Sequence, residues 1–345
     1  MVLLVPVGCG DDAPAERTQS YYVTTPTAAG GAVSADGVRR IAGDDRYATA
    51  TAVADDRWSS ASDVFIANGT DPADALAGAY GSGLHSSPIF LTDRDTLPDA
   101  TIRGLEIIGP RLVHVLGGTA SVSASVVAAL EARGYETVRH AGADRFGTAV
   151  AVAKSETSEI IGSFRSDGRT AILANGHKPF DALVAGPLSA GQLLPILLTE
   201  ADALPQVTAD ALRDLEIAHV IVMGDATAVS DAVVASMEAT GLTVRRVGGA
   251  SDAATAVAMA GVLEELDYDM TRVGLASGQS VADAVGAGAW GAPSTPILLC
   301  ETPTACGDTT LAWASAHPEL AEVVVIGGTA RVSDEAASEV ASPAG

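Results

Sequence analysis

Four short landmarks recur three times, always in the same order, and this repetition constrains the fold more than any other feature of the chain. The first is AGDDRYATA (42–50), which returns as AGADRFGTA (141–149) and as VGGASDAATA (247–256). The second is NGTDPADAL (68–76), NGHKPFDAL (175–183) and SGQSVADAV (277–285). The third is PIFLT (88–92), PILLT (195–199) and PILLC (296–300). The fourth is LGGTASVS (116–123), MGDATAVS (223–230) and IGGTARVS (326–333). A period of about 100 residues is too long for a solenoid unit and suits a small domain.

Within one period the hydrophobic pattern switches between strand and helix. DVFIANG is a short apolar run closed by a turn, and PIFLT and RLVHVLGG read the same way, as buried strands. LPDATIRGLEIIG carries Pro in its first turn and Gly at its end, and VSASVVAALEARG ends at Gly134, so both read as helices. Strands and helices alternating at this pitch predict parallel sheets covered on both faces. The expected plan is a residual signal segment at 1–9, a flexible stalk at 10–37, and repeats at 38–137, 138–243 and 244–345.

Apolar residues make up 48% of the 345-residue chain and aromatics only 4%, so Ala, Val, Leu and Ile must fill the cores. The formal net charge of −23 disfavours nucleic acid and anionic membranes as nonspecific partners. No apolar run reaches the ~18 residues that a spanning helix needs. The opening MVLLVPVGCGDD passes from a short apolar run through small residues into acid. It reads as the end of a lipoprotein signal, with Cys9 as the lipidated residue and the only membrane attachment. Cys300 and Cys306 flank a Pro in what is expected to be an exported chain, which makes a small disulfide loop a candidate.

Most recurring polar positions have a structural reading. Asp45, Asp144 and Ser251 precede the first helix of each repeat, and Ser123, Ser230 and Ser333 precede the last, all as N-caps. Asp74, Asp181 and Asp283 open the DAL helix, where a carboxylate suits the positive end of the dipole. Arg46 and Arg145 do not fit this pattern, because the dipole disfavours a cation at a first helical position and the third repeat has Asp252 there. Either an anionic ligand or a carboxylate across a repeat boundary would account for them. Arg40, Arg139 and Arg246 recur at the end of the preceding strand. These five arginines, with Asn68, Asp74, Asn175, Asp181 and Asp283, form the candidate ligand-binding set.

Catalytic signatures are weak. GAGAWG (286–291) lies inside a helical stretch before a strand, the wrong order for dinucleotide binding, and no G-K-[ST] follows a Gly-rich turn. HExxH, GxSxG and SxxK are absent, the six histidines do not cluster in sequence, and His114 and His219 read as packing residues. The acids after the second strand of each repeat (TDRD at 92–95, TEAD at 199–202, CETP at 300–303) could in principle hold Mg²⁺, but a surface turn explains them as well. No cofactor, no metal and no catalytic residue is predicted.

With these motifs, the chain resembles the bacterial and archaeal cell wall-binding repeat 2 family. The family pattern runs R-[IL]-x-G-x-D-R-[YF]-x-T-A, N-G-x-x-x-x-D-A-L, P-I-L-L-T and G-G-x-x-x-[IV]-S. RIAGDDRYATA and RHAGADRFGTA match it closely, whereas the third repeat departs at Asp252, Ala253 and Ser277. The resemblance implies an α/β fold of three tandem Toprim-like, open parallel-sheet repeats packed with pseudo-threefold symmetry. It also implies a noncatalytic surface module that binds an anionic cell-wall glycopolymer of teichoic-acid type, with Arg46 and Arg145 as the motif arginines. The alternatives are a wall hydrolase or amidase-associated protein, or a structural surface-layer component. A chain of charge −23 that binds an anionic polymer needs a local basic cleft or bridging cations.

Overall fold

The computed structural model describes residues 33–343 apart from 72, 156–159 and 165–167. The signal reading at 1–9, with Cys9, and the stalk up to residue 32 lie outside the described residues.

Among the described residues twelve strands form three four-stranded sheets, and every pairing within them is parallel. The first elements of the described residues are β1 (Val38–Ile41) and α1 (Arg46–Arg57). The first sheet holds β2 (Asp63–Asn68), β3 (Ile89–Thr92), β4 (Leu112–Leu116) and β5 (Glu136–His140), joined by α2 (Ala73–His85), α3 (Asp99–Ile108) and α4 (Ala124–Glu131). After α5 (Arg145–Ala153), the second sheet holds β6 (Arg169–Asn175), β7 (Ile196–Thr199), β8 (Ile217–Met223) and β9 (Thr243–Val247). Its helices are α6 (Pro179–Gln192), α7 (Gln206–Asp214) and α8 (Asp231–Glu238). After α9 (Asp252–Glu264) come β10 (Arg272–Ser277), β11 (Ile297–Cys300) and β12 (Glu322–Ile326), with α10 (Ala287–Gly291), α11 (Gly307–Ala316) and α12 (Asp334–Ala341).

The strand orders are β3-β2-β4-β5, β7-β6-β8-β9 and β11-β10-β12-β1. The fourth strand of each sheet is thus the one that leads into the next repeat's first landmark, and the third sheet takes β1 from the opposite end of the described chain. The sequence period and the sheets are offset by one strand. The helix that follows crosses over: α1 packs on β3 and α3, α5 on β7 and α7, and α9 on β11 and α11. Each repeat boundary is therefore stitched by a strand in one sheet and a helix in the next.

The central strands read as continuous apolar runs because both of their faces are covered: five of the six residues of β2 and β10 are buried. Helices α2, α6 and α10 touch one another pairwise at the centre, as three repeats around a common axis require. Their Ala- and Gly-rich sequences are what lets them approach, since a Cβ on Gly186 would stand 2.4 Å from the Gly288 Cα. In the third repeat this helix shrinks to five residues and Asp283 lies in the turns before it, not at a helix start as the sequence pattern predicts.

Closure by β1 carries its own polar network. Arg39, 7% exposed, binds Asp56 of α1 and donates to Glu322 of β12 at 2.7 Å. The Trp290 indole donates to Asp56 at 2.8 Å, and Arg272 reaches Glu322 at 2.6 Å. Every charge in this buried set has a partner, as burial demands.

Candidate functional site: the clefts between repeats

At the carboxyl end of each sheet a glycine turn, the DAL carboxylate and the start of the next repeat come together, the position where open α/β sheets usually hold ligands. The turn begins at Gly117, Gly224 or Gly327, with φ of 98°, 84° and 110°. Only glycine takes this conformation without strain, and the carboxylate fills the space that a side chain would need. A Cβ on Gly117 would lie 2.3 Å from Asp74 Oδ2, and one on Gly224 would lie 2.7 Å from Asp181 Oδ2.

The strand-end arginines brace this turn. Arg139 donates to the Gly117 carbonyl at 2.6 Å. Arg246 donates to the carbonyls of Gly224 and Val229 at 3.1 and 2.8 Å, and Arg40 to those of Gly327 and Val332 at 2.8 and 2.9 Å. Arg246 and Arg40 also reach Asp231 and Asp334, at 3.1 and 2.7 Å. Their recurrence thus has a backbone-binding explanation that the strand pattern alone did not reveal.

The motif arginines brace a second turn. Arg46 donates to the Gly69 carbonyl at 2.6 Å and Arg145 to the Gly176 carbonyl at 2.7 Å, each holding the NG turn of its own repeat. Arg145 also faces Asp71 of the previous repeat at 3.5 Å. The equivalent pair at the next boundary is reversed, with Asp252 facing Lys178, whose charge opposes the rise that burial imposes on the Asp252 pKa. Asn68 and Asn175 link the same loops, since their amides donate to the carbonyls of Ser121 and Ala228, each at 2.6 Å. Ser277 is too short for that reach and only accepts from Gln279 N at 3.1 Å.

The three DAL carboxylates differ in what faces them, and of the three only Asp181 is fully buried. The residue across the turn is Ser121 for Asp74, Ala228 for Asp181 and Arg331 for Asp283, the last as an ion pair at 2.8 Å. Burial raises the Asp74 pKa, while Ser121, Thr148 and the Arg145 charge hold it down. Asp181 is 2% exposed, and its Oδ2 has no hydrogen-bond partner. Burial, with Asp252 and Asp225 nearby, pushes its pKa up to about 7 against the pull of Lys178. Around it opens a polar cleft between the second and third repeats, lined by Lys178, Asp225, Thr227, Ser251, Asp252 and Thr255.

The expected caps are in place. Asp45, Asp144 and Ser251 accept from the backbone N–H groups of Ala48, Gly147 and Ala254. Ser333 caps through its side chain, whereas Ser123 and Ser230 hold the N-cap position without that bond. Cys300 and Cys306 are disulfide-bonded. The acids after the second strands do not converge: Asp93 accepts from the Tyr47 hydroxyl, and Glu200 faces His177 at 3.1 Å. With Asp93 beside it, and with burial as the larger cause, the Tyr47 pKa is pushed up to about 12.

A model of the cell wall binding domain 2 (CWB2) family matches residues 40–127, 139–234 and 246–337, one segment per landmark period. The chain belongs to this family. Among curated relatives, the N-acetylmuramoyl-L-alanine amidase LytC of Bacillus subtilis (strain 168) is 26% identical over 315 residues, 90% of this chain and 60% of the amidase. The amidase enhancer of the same organism is 30% identical over 261 residues, 75% of this chain and 34% of the enhancer. This chain therefore spans only part of the length of either relative. Among solved structures, Cwp8 from Clostridium difficile superposes with a TM-score of 0.74 at 22% identity, covering 88% of this chain and 52% of Cwp8. Cwp6 from the same organism gives 0.73 at 22% identity, covering 96% of this chain and 50% of Cwp6. At that identity the likeness establishes the fold, and the CWB2 repeats are α/β parallel-sheet units.

Proposed function

We propose that this chain is a noncatalytic binding module that holds a surface-located protein to an anionic cell-wall glycopolymer through the clefts between its CWB2 repeats. The observation that carries this reading is the threefold family match, whose segments contain the glycine turns and DAL carboxylates of all three repeats. Support comes from the polar character of the cleft at Asp181, where hydroxyls, carboxylates and one lysine suit a hydroxyl-rich, charged polymer better than an apolar ligand. Arg46, Arg145 and Lys178 supply the local positive charge on an otherwise acidic molecule. The amidase activity in the name of LytC belongs to that protein, of which this chain covers 60%. The same reading places the module at the cell wall, with attachment through Cys9 as a further proposal.

Cosedimentation with purified cell walls, before and after their secondary polymers are stripped, tests the reading. Wild type is expected to pellet with intact walls and to stay in solution with stripped ones. Arg46→Ala/Arg145→Ala and Lys178→Ala are expected to pellet less while melting cooperatively. Equal pelleting of wild type with intact and stripped walls would overturn the proposal.

A further inference from the structure

Two of the six histidines, far apart in sequence, meet an aspartate in the first repeat, towards the end of the sheet away from the clefts. Asp63 opens β2, His85 closes α2, and His114 lies in β4. One ligand atom from each of the three lies within 4.8 Å of the others. His114 Nε2 is 3.2 Å and His85 Nδ1 is 3.8 Å from the same oxygen, Asp63 Oδ1. We propose that Asp63, His85 and His114 form a binding site for a divalent transition-metal ion, with Zn²⁺ the best fit.

The donor set is the first argument. Two imidazole nitrogens and one carboxylate oxygen suit Zn²⁺, and with Zn–N and Zn–O bonds of about 2.0–2.2 Å a tetrahedral ion separates its ligand atoms by roughly 3.3 Å. The two separations from Asp63 Oδ1, 3.2 and 3.8 Å, bracket that spacing, so small side-chain rotations bring all three atoms onto one ion.

The surroundings are the second argument. His114 is 5% exposed, and its ring stacks on Phe65 at 4.5 Å between centroids, which fixes its plane. His114 Nδ1 lies 2.9 Å from His140 Nε2, and the His140 ring stacks on it at 5.1 Å. When Nδ1–H donates to His140, the Nε2 lone pair points at the Asp63 carboxylate, an arrangement that a cation between them stabilises. A histidine ligand whose second nitrogen is held in this way is the usual support of a metal site. Ser62 donates to the other Asp63 oxygen. Asp63 and His85 are only partly buried, so the ion has a path from solvent and a fourth position for water.

The third argument is that the set is confined to one repeat. Counting from the shared landmarks, the positions of Asp63, His85 and His114 hold Thr170, Gln192 and Ile221 in the second repeat and Arg272, Ser294 and Val324 in the third. The fold survives twice without these groups, so the scaffold does not require them. A bound ion would tie the end of α2 to β2 and β4.

The test uses the untagged protein carrying Cys9→Ser, so that this thiol cannot compete for metal. After chelation, the chain is titrated with Zn²⁺ by calorimetry and with Co²⁺ by visible absorption, and its melting is followed with and without Zn²⁺. About one Zn²⁺ per chain, a tetrahedral Co²⁺ spectrum and a higher melting temperature with Zn²⁺ are expected. His85→Ala, at a partly exposed helix end, should fold normally and lose more than about 100-fold in affinity together with the Zn²⁺-dependent rise in melting. His140→Gln should weaken binding by about 10- to 100-fold. Absence of stoichiometric binding by folded wild type would overturn the site, as would His85→Ala and Asp63→Asn binding Zn²⁺ as wild type does.

Discussion

The first and second repeat boundaries use one frame with opposite wiring. At the first, Asp74 lies under the glycine turn with Ser121 and Thr148 facing it, and Arg145 reaches back to Asp71. At the second, Asp181 has Ala228 where Ser121 stands, and the crossing pair is Asp252 with Lys178. The missing arginine of the third repeat is thus half of a charge reversal, because Lys178 has moved the cation to the other side of the boundary. At both boundaries a carboxylate lies beneath the glycine and opposite charges face each other above it, with either polarity. The carboxylates beneath the turns also differ: burial, with Asp252 and Asp225 nearby, raises the Asp181 pKa to about 7, whereas Ser121, Thr148 and Arg145 counter the rise that burial imposes on Asp74.

That contrast gives the largest expected effect. A carboxylic acid whose folded pKa is raised keeps its proton in the native state after the unfolded chain has lost it. Its contribution is complete below the unfolded pKa of about 4 and is lost as pH rises through the folded value. For Asp181 the window runs up to about 7. Asp181→Asn should therefore melt higher than wild type at pH 8, by on the order of 2–4 kcal/mol, with little difference at pH 4. Asp74→Asn should shift in the same direction by less, since hydroxyls and Arg145 already offset its burial. Denaturant titrations at both pH values check this, and an Asp181→Asn stability change independent of pH would refute the assignment.

A smaller effect should separate the asparagines from their serine counterpart. Asn175 Nδ2 reaches the Ala228 carbonyl while its Oδ1 accepts from His177 N, and the residue is 5% exposed. Asn175→Ala leaves buried groups unpaired on both sides and should cost about 2 kcal/mol. Ser277→Ala removes one local bond to Gln279 N and should cost about 0.5–1 kcal/mol. Comparable losses in the two variants would mean that the asparagine bridge does not join the loops.

The sequence makes the repeats legible because each landmark answers to a local rule. Gly117 and Gly224 need positive φ, Asp45 and Asp144 cap helices, and β2 and β10 are apolar on both faces. Long-range pairings leave no such mark. Nothing in Val38–Ile41 tells that this strand pairs with Glu322–Ile326, because a parallel edge strand looks the same whichever sheet receives it. The arginines were conspicuous for their position, but their acceptors are carbonyls of glycine turns, which no side-chain pattern encodes. The histidine cluster stayed hidden for the same reason. His85, His114 and His140 sit on three elements whose meeting depends on strand order, and scanning for close spacing misses them. The only available signal was that none of these positions is histidine in the sister repeats.

The smallest effect tests the charge reversal itself. Arg145 and Asp71 are 30% and 62% exposed in their side chains, so solvent screens their attraction, and an exposed pair contributes about 0.2–1 kcal/mol. Arg145→Asp alone places a carboxylate beside Asp71 and Asp74 and gives up the bond to the Gly176 carbonyl, so it should destabilise. Asp71→Lys alone sets a lysine against Arg145 and should destabilise slightly. Together the two substitutions install the wiring of the second boundary at the first. The double variant should then be more stable than the sum of the single changes by about 0.5–1 kcal/mol, a coupling that shrinks with added salt. It should also raise the Asp74 pKa toward that of Asp181, because Arg145 no longer helps to hold it down. A strictly additive double variant, or a coupling indifferent to salt, would mean that the opposite charges at the two boundaries arose independently and that the crossing pair does not align the repeats.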